Sequence, residues 1–302
     1  MDIQWSLVLF TALTGMGGWL FFFICLNVFV RKTDKGAFAG TATALALTVV
    51  GGLASVTHLS HPDRMLGALQ HPTSGIFTEA LLVGLLAIVM IAFLVMLRRG
   101  IDGGALKAVA VVGMALGALM SFMAGQSYLM SAIAAWNTEL LPLGYLGTAA
   151  ASGAAAYLVL IAAQKADENA CSLYGLMTLA AGCVALITVL AYGAVAGAFA
   201  GDAAPMTIAA AAFGGVAPIA CGFLARKKAG QRRGAWSRRA DCRPYRFDCF
   251  PLRYVGYRRR TVRLLRSDLN RPVSSVASRE DGRCRSAVPH PPPAPALWHR
   301  LG

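Results

Sequence analysis

Residues 77–97 read F-T-E-A-L-L-V-G-L-L-A-I-V-M-I-A-F-L-V-M-L and close on Arg98 and Arg99. Apart from Glu79 the run is uncharged. Wound as a helix at about 1.5 Å per residue, it reaches roughly the 30 Å of a bilayer's hydrocarbon core. The same reading repeats along the chain. Further apolar runs cover residues 5–30, 37–57, 106–130, 143–163, 172–199 and 205–225, the last interrupted by Pro218. Seven spans of this length predict an all-α, polytopic transmembrane helix bundle. The cluster Gly15-Met16-Gly17-Gly18 in the first run predicts a place where another helix approaches closely, and Gly113-x3-Gly117 and Gly197-x3-Gly201 predict further packing seams.

Composition agrees and then divides the chain. With 57% apolar residues and a mean hydropathy of +0.58, it is not an ordinary soluble domain. The formal net charge of +14 is unevenly spread: residues 1–225 hold eight Lys/Arg against nine Asp/Glu, and residues 226–302 hold twenty against five. A transmembrane helical domain over 1–225 is therefore expected, followed by an Arg/Pro-rich tail over 226–302. The apolar residues of that tail follow neither a helical nor a strand period. It reads as a disordered extension, or as a shifted reading frame that has replaced a last helix. The competing reading is a basic arm for anionic lipid or nucleic acid. Membrane lipid is an expected partner and nucleic acid is not. The N-terminus lacks a basic region before its long apolar run, so no cleavable signal peptide is expected.

Basic residues set the expected orientation. Arg31, Lys32, Lys35, Arg98, Arg99, Lys107, Lys165 and Arg226 to Lys228 all fall in alternate connections, whereas the others hold Arg64 alone. Basic loops stay inside. In a bacterial inner (plasma) membrane this puts the N-terminus, and the connection between the second and third spans, on the periplasmic side.

That connection carries the chemistry. Residues 55–81 read S-V-T-H-L-S-H-P-D-R-M-L-G-A-L-Q-H-P-T-S-G-I-F-T-E-A-L, with Pro62 and Pro72 breaking any continuous helix. They hold His58, His61 and His71, every histidine of the membrane part, together with Asp63, Arg64 and Glu79. A histidine and a carboxylate at a membrane edge, with an exit to water, suit a quinol, which must lose two protons and two electrons. His58 and Glu79 are the leading candidates, with Arg64 to steady a carboxylate or carbonyl and His61 beside them. Plainer roles remain open. His61 and His71 also fit as hydrated interfacial residues, and Glu79 as an anion at a helix N-terminus. Tyr128, Trp136 and Tyr145 fit an interfacial aromatic belt, where a quinone ring could also stack.

Resident redox centres are not expected. Bis-histidine haem needs ligands from facing segments, yet the three histidines fall within 14 positions on one side. The seven cysteines (Cys25, Cys171, Cys183, Cys221, Cys242, Cys249 and Cys284) include no C-x-x-C pair, so no iron–sulfur cluster is expected either. Electrons from a quinol would have to leave through a partner protein. The alternatives are a polytopic transporter, disfavoured by the lack of a mid-span charge or internal repeat, and a purely structural anchor without a quinone site.

The run Thr57-His58-Leu59-Ser60-His61-Pro62, then Arg64, Ser74 and Thr78-Glu79, resembles the anchor subunits of dimethyl-sulfoxide reductases. Trp136-x5-Pro142-x-Gly144 is similar too. Ser60 stands where that family usually has Gly. The resemblance spans about residues 1–225. It implies an eight-helix DmsC-like membrane subunit with no haem, iron–sulfur cluster or molybdenum of its own. Such a subunit oxidises menaquinol near the periplasmic face in anaerobic electron transport. It anchors a four-cluster iron–sulfur subunit and a molybdopterin catalytic subunit. The family's quinol residues match His58 and Glu79. Seven spans stand here against the family's eight, and the tail begins where the last helix would.

Overall fold

The computed structural model describes residues 5–33, 35–57, 75–199 and 203–241. They form α1 (Trp5–Val30), α2 (Ala37–Val56), α3 (Gly75–Arg99), α4 (Gly104–Ser127), α5 (Leu140–Ala163), α6 (Glu168–Val195), α7 (Ala204–Ala211) and α8 (Ala217–Asp241). A short 3-10 turn, Ala134–Trp136, precedes α5, and a π turn, Ala212–Val216, joins α7 to α8. No strand occurs among the described residues. Helices alone satisfy every backbone group in lipid without a partner strand. Among the described residues, seven helical stretches are long and apolar enough to cross a membrane, with α7, the π turn and the start of α8 making the seventh, Ala204–Gln231.

The outward faces are apolar, as a lipid solvent requires: Ile88, Ile187 and Phe213 are largely exposed. Association inside lipid therefore depends on close packing and polar contacts rather than on burying apolar surface from water. Successive glycines of α1 supply the packing. A Cβ at Gly15 would lie 3.0 Å from the Ala149 Cβ of α5, one at Gly17 2.9 Å from the Ala44 carbonyl of α2, and one at Gly18 3.2 Å from the Gly117 carbonyl of α4. Residues advance about 100° each around a helix, so three neighbouring glycines open α1 to three helices at once. The expected seam at Gly113 and Gly117 is present: Gly113 faces Phe21 of α1, and Gly117 faces Gly18. Gly197 differs. It has a φ of +63° and nothing within 4 Å of an added Cβ, so it turns the chain after α6; Gly201 lies outside the described residues.

Polar contacts between helices occur in mid-bundle and at one end. Trp19 Nε1 donates to Ser121 Oγ at 2.9 Å, linking α1 to α4. Further along α1, Asn27 Nδ2 donates to the Thr33 carbonyl at 2.6 Å, and Tyr174 Oη of α6 donates to Asn27 Oδ1 at 2.8 Å. Asn27 thus closes the end of α1, where Arg31 turns left-handed at φ 50°. At this same end Lys35 Nζ donates to the Lys165 carbonyl at 2.9 Å, and the Arg98 guanidinium lies 5.8 Å from the Phe38 ring centre. The basic residues of the first, third and fifth connections therefore collect at one end of the bundle.

Pro218 acts differently from a simple interruption. It is the second residue of α8, and the irregular turn lies just upstream, at Ala212–Val216. A proline cannot donate to the carbonyl four residues back and its ring crowds that carbonyl, here Gly214. Widening the turn by one residue accommodates both effects. The helix then continues through Arg226 to Asp241. Residues 242–302, which hold most of the expected tail, lie outside the described residues.

Candidate functional site

Three close approaches build the other end of the bundle. Gly75, the first residue of α3, meets the last turn of α4: an added Cβ would lie 2.9 Å from Ser127 Oγ and 3.1 Å from Ser127 Cβ. Gly125 of α4 meets Pro142 in the first turn of α5, with no room for a side chain between them. Gly147 of α5 meets α6, where a Cβ would lie 3.2 Å from the Ala185 Cα. The start of α3, the end of α4 and the start of α5 are thereby held together, with α6 packed along α5.

Glu79 sits in this cluster. It is only 9% exposed, although it is a carboxylate in an otherwise apolar helix. It is the fifth residue of α3 and no acidic residue occupies the first turn, so it does not cap the helix. Its carboxyl lies near the Ser127 side chain of α4 instead. One carboxyl oxygen, Oε1, is buried and has no hydrogen-bond partner among the described residues. A buried polar atom without a partner is costly, so this atom marks where a donor belongs.

Tyrosines line the same place. Tyr128 and Tyr145 stack with ring centres 5.7 Å apart and planes 21° apart. The Glu79 carboxyl is close enough to act electrostatically on both phenols, and Tyr192 of α6 acts on Tyr145. Tyr128 lies one residue beyond the α4 span. Burial, then the nearby Glu79 charge, then Tyr145, push its phenol above the ordinary range. It therefore stays protonated at neutral pH and remains a donor.

Of the residues expected from sequence, Glu79 is thus found buried beside Ser127, Tyr128 and Tyr145. His58, His61 and Arg64, with His71 and Asp63, lie outside the described residues. They belong to the connection between Thr57 and Gly75, which joins α2 to α3 at the Glu79 end. Ser127 and Tyr192 carry no signal in the sequence; only the pairing of helix ends reveals them. Among the described residues no group of three His, Cys, Asp or Glu gathers to hold a metal ion.

The arrangement combines a buried carboxyl with one unpartnered oxygen, a serine side chain nearby, and a flat aromatic pair. It suits an aromatic alcohol giving up a proton at a membrane edge. A family model described as "DMSO reductase anchor subunit (DmsC)" matches residues 1–207. No curated protein and no solved structure matches the chain.

Proposed function

The chain belongs to the DMSO reductase anchor subunit (DmsC) family, and from that premise we propose that it oxidises menaquinol and passes the electrons to a partner. The observation that carries the proposal is the buried Glu79 with its unpartnered Oε1 beside the Tyr128–Tyr145 stack. One quinol hydroxyl gives its proton to Glu79 and the other to His58. Arg64 steadies the developing quinone oxygen or the Glu79 carboxylate, and His61 is a further candidate proton acceptor. The O–H bonds of the quinol break, a quinone is left, and both protons pass to water. The two electrons leave singly to a four-cluster iron–sulfur subunit, which feeds a molybdopterin catalytic subunit. His58, His61 and Arg64 enter this reading from their place in the α2–α3 connection.

The sidedness is part of the proposal. Arg98, Lys35 and Lys165 gather at the bundle end opposite Glu79. The positive end of a multi-pass protein faces the cytoplasm. In a bacterial inner membrane, the Glu79 end and the N-terminus are then periplasmic, and protons are released there.

A quinone site should be detectable by ligand binding alone. Membranes carrying the assembled complex should quench a fluorescent quinone-site inhibitor saturably, and a menaquinol analogue should displace it. Quenching that rises linearly with membrane, without saturation, would leave only a structural anchor.

A further inference from the structure

A groove of about 540 Å³ lies between α6 and α8, lined by Ser172, Phe223, Arg226, Lys227 and Gly230. It opens near the start of α6, the end of the bundle where Lys35 meets the Lys165 carbonyl. The four residues from α8 recur at i, i+3, i+4 and i+7, so they share one helix face. A backbone crossing bounds the groove: a Cβ at Gly222 would lie 2.5 Å from the Gly175 carbonyl of α6. A Cβ at Gly175 would lie 3.2 Å from Arg226 Cγ, so the Arg226 stem rests on α6 although the residue as a whole is exposed. Phe223 is 58% exposed. Around Gly230 an added Cβ would meet nothing within 4 Å, which leaves the groove unfilled there. Among the described residues no acidic side chain lines it; Glu168, one turn before Ser172, stays outside.

We propose that this groove binds one anionic phospholipid, its phosphodiester on Arg226 and Lys227 and an acyl chain along Phe223. The polarity of the groove runs as it does along a phospholipid. Phe223 and the exposed Leu224 lie toward the middle of the seventh span, and the two cations lie one turn nearer its end. A guanidinium presents its donors in a planar fork that fits two phosphodiester oxygens, and an ammonium adds a compact positive charge. The Ser172 hydroxyl supplies a further donor from α6. Free phosphate would use the cations and leave the apolar wall idle. A zwitterionic headgroup would bring an ammonium of its own, for which the groove has no carboxylate. Basic pockets between transmembrane helices recur as places where anionic headgroups bind. A lipid held here ties α8 to α6 beyond the Gly175–Gly222 crossing. The site stands whether or not Glu79 accepts a proton.

The test titrates the full chain in uncharged detergent micelles and counts bound lipids by native mass spectrometry. The first phosphatidylglycerol should bind about 30-fold more tightly than phosphatidylcholine with the same acyl chains, as two nearby cations allow. Arg226→Gln and Lys227→Gln should each weaken that first equivalent about 5-fold, and the double variant should remove the preference. Lys228→Gln removes the same charge from the next residue, which does not line the groove, and should leave binding within about 2-fold of wild type. Gly230→Leu changes no charge and meets no protein atom at its Cβ, yet it fills the groove and should lose the tight first equivalent. Equal affinity for the two lipids in the wild type would overturn the proposal. So would equal losses in Lys228→Gln and Lys227→Gln, which would mean a diffuse basic surface. Displacement of the lipid by inorganic phosphate at comparable concentration would make this a free-anion site and overturn the lipid assignment.

Discussion

Glu79→Gln should cut menaquinol-driven reduction by about 100-fold or more, the lower end of what a positioned proton acceptor supplies. Glutamine matches glutamate in shape, so the bundle end should survive. It cannot take a proton from a quinol hydroxyl. The complex should therefore remain assembled, and a reduced dye that gives electrons straight to the iron–sulfur subunit should drive catalysis at the wild-type rate. His58→Ala should show the same split, since each of the two proposed acceptors takes one of the two protons. Steady-state rates with a menaquinol analogue and with the dye, on the same membranes, make the measurement. Equal losses with both donors would point to failed assembly rather than failed proton transfer.

Gly117→Leu should be the most damaging substitution away from the site. At this crossing, α4 and α1 touch backbone to backbone: a Cβ at Gly117 would lie 2.5 Å from the Gly18 carbonyl oxygen and 3.1 Å from its carbon. A flexible side chain could swing aside, but a carbonyl inside α1 cannot move without shifting the helix. α1 in turn contacts α2 and α5 through Gly17 and Gly15, so a shift spreads. Overpacking of this kind costs about 3 kcal/mol or more, which at this chain size lowers the melting temperature by about 6–12 °C. Gly84→Leu is the matched control. Gly84 lies within α3 and nothing is within 4 Å of an added Cβ. Leucine there relieves an unfavourable helix residue and extends into lipid, so the melting temperature should hold or rise slightly. Thermal unfolding of the purified chain in detergent, followed by circular dichroism, compares the two.

The spans are legible in the sequence because lipid imposes a length and a polarity, and residues 77–97 satisfy both with one exception. That exception, Glu79, is legible for the same reason: a carboxyl in an apolar helix is expensive enough to stand out. What it touches is not legible. Ser127 lies 48 positions away, and serine at the end of a span is unremarkable in composition. Its pairing follows from the register of α3 against α4, which depends on Gly75 fitting against Ser127. The aromatic belt around Tyr128 and Tyr145 can be read from sequence, but the stack between them needs the close seat of Gly125 on Pro142. The helix-dipole role open to Glu79 depended on where α3 begins. The start at Gly75 moves Glu79 past the first turn and removes that role. Pro218 shows the same limit at another place, since its effect falls upstream, on the turn that must avoid its ring. Likewise Gly197 has the spacing of a seam residue, but its left-handed backbone makes a turn there.

Photo-crosslinking tests most directly whether a quinol docks at the α2–α3 connection. An azido-menaquinone analogue, activated in membranes that carry the assembled complex, should leave adducts in residues 55–81 and in the segment from Gln126 to Tyr145. An excess of menaquinol should prevent them. Adducts confined to the lipid-facing residues of α3 and α6, such as Ile88 and Ile187, and insensitive to menaquinol would contradict a quinol site in this chain.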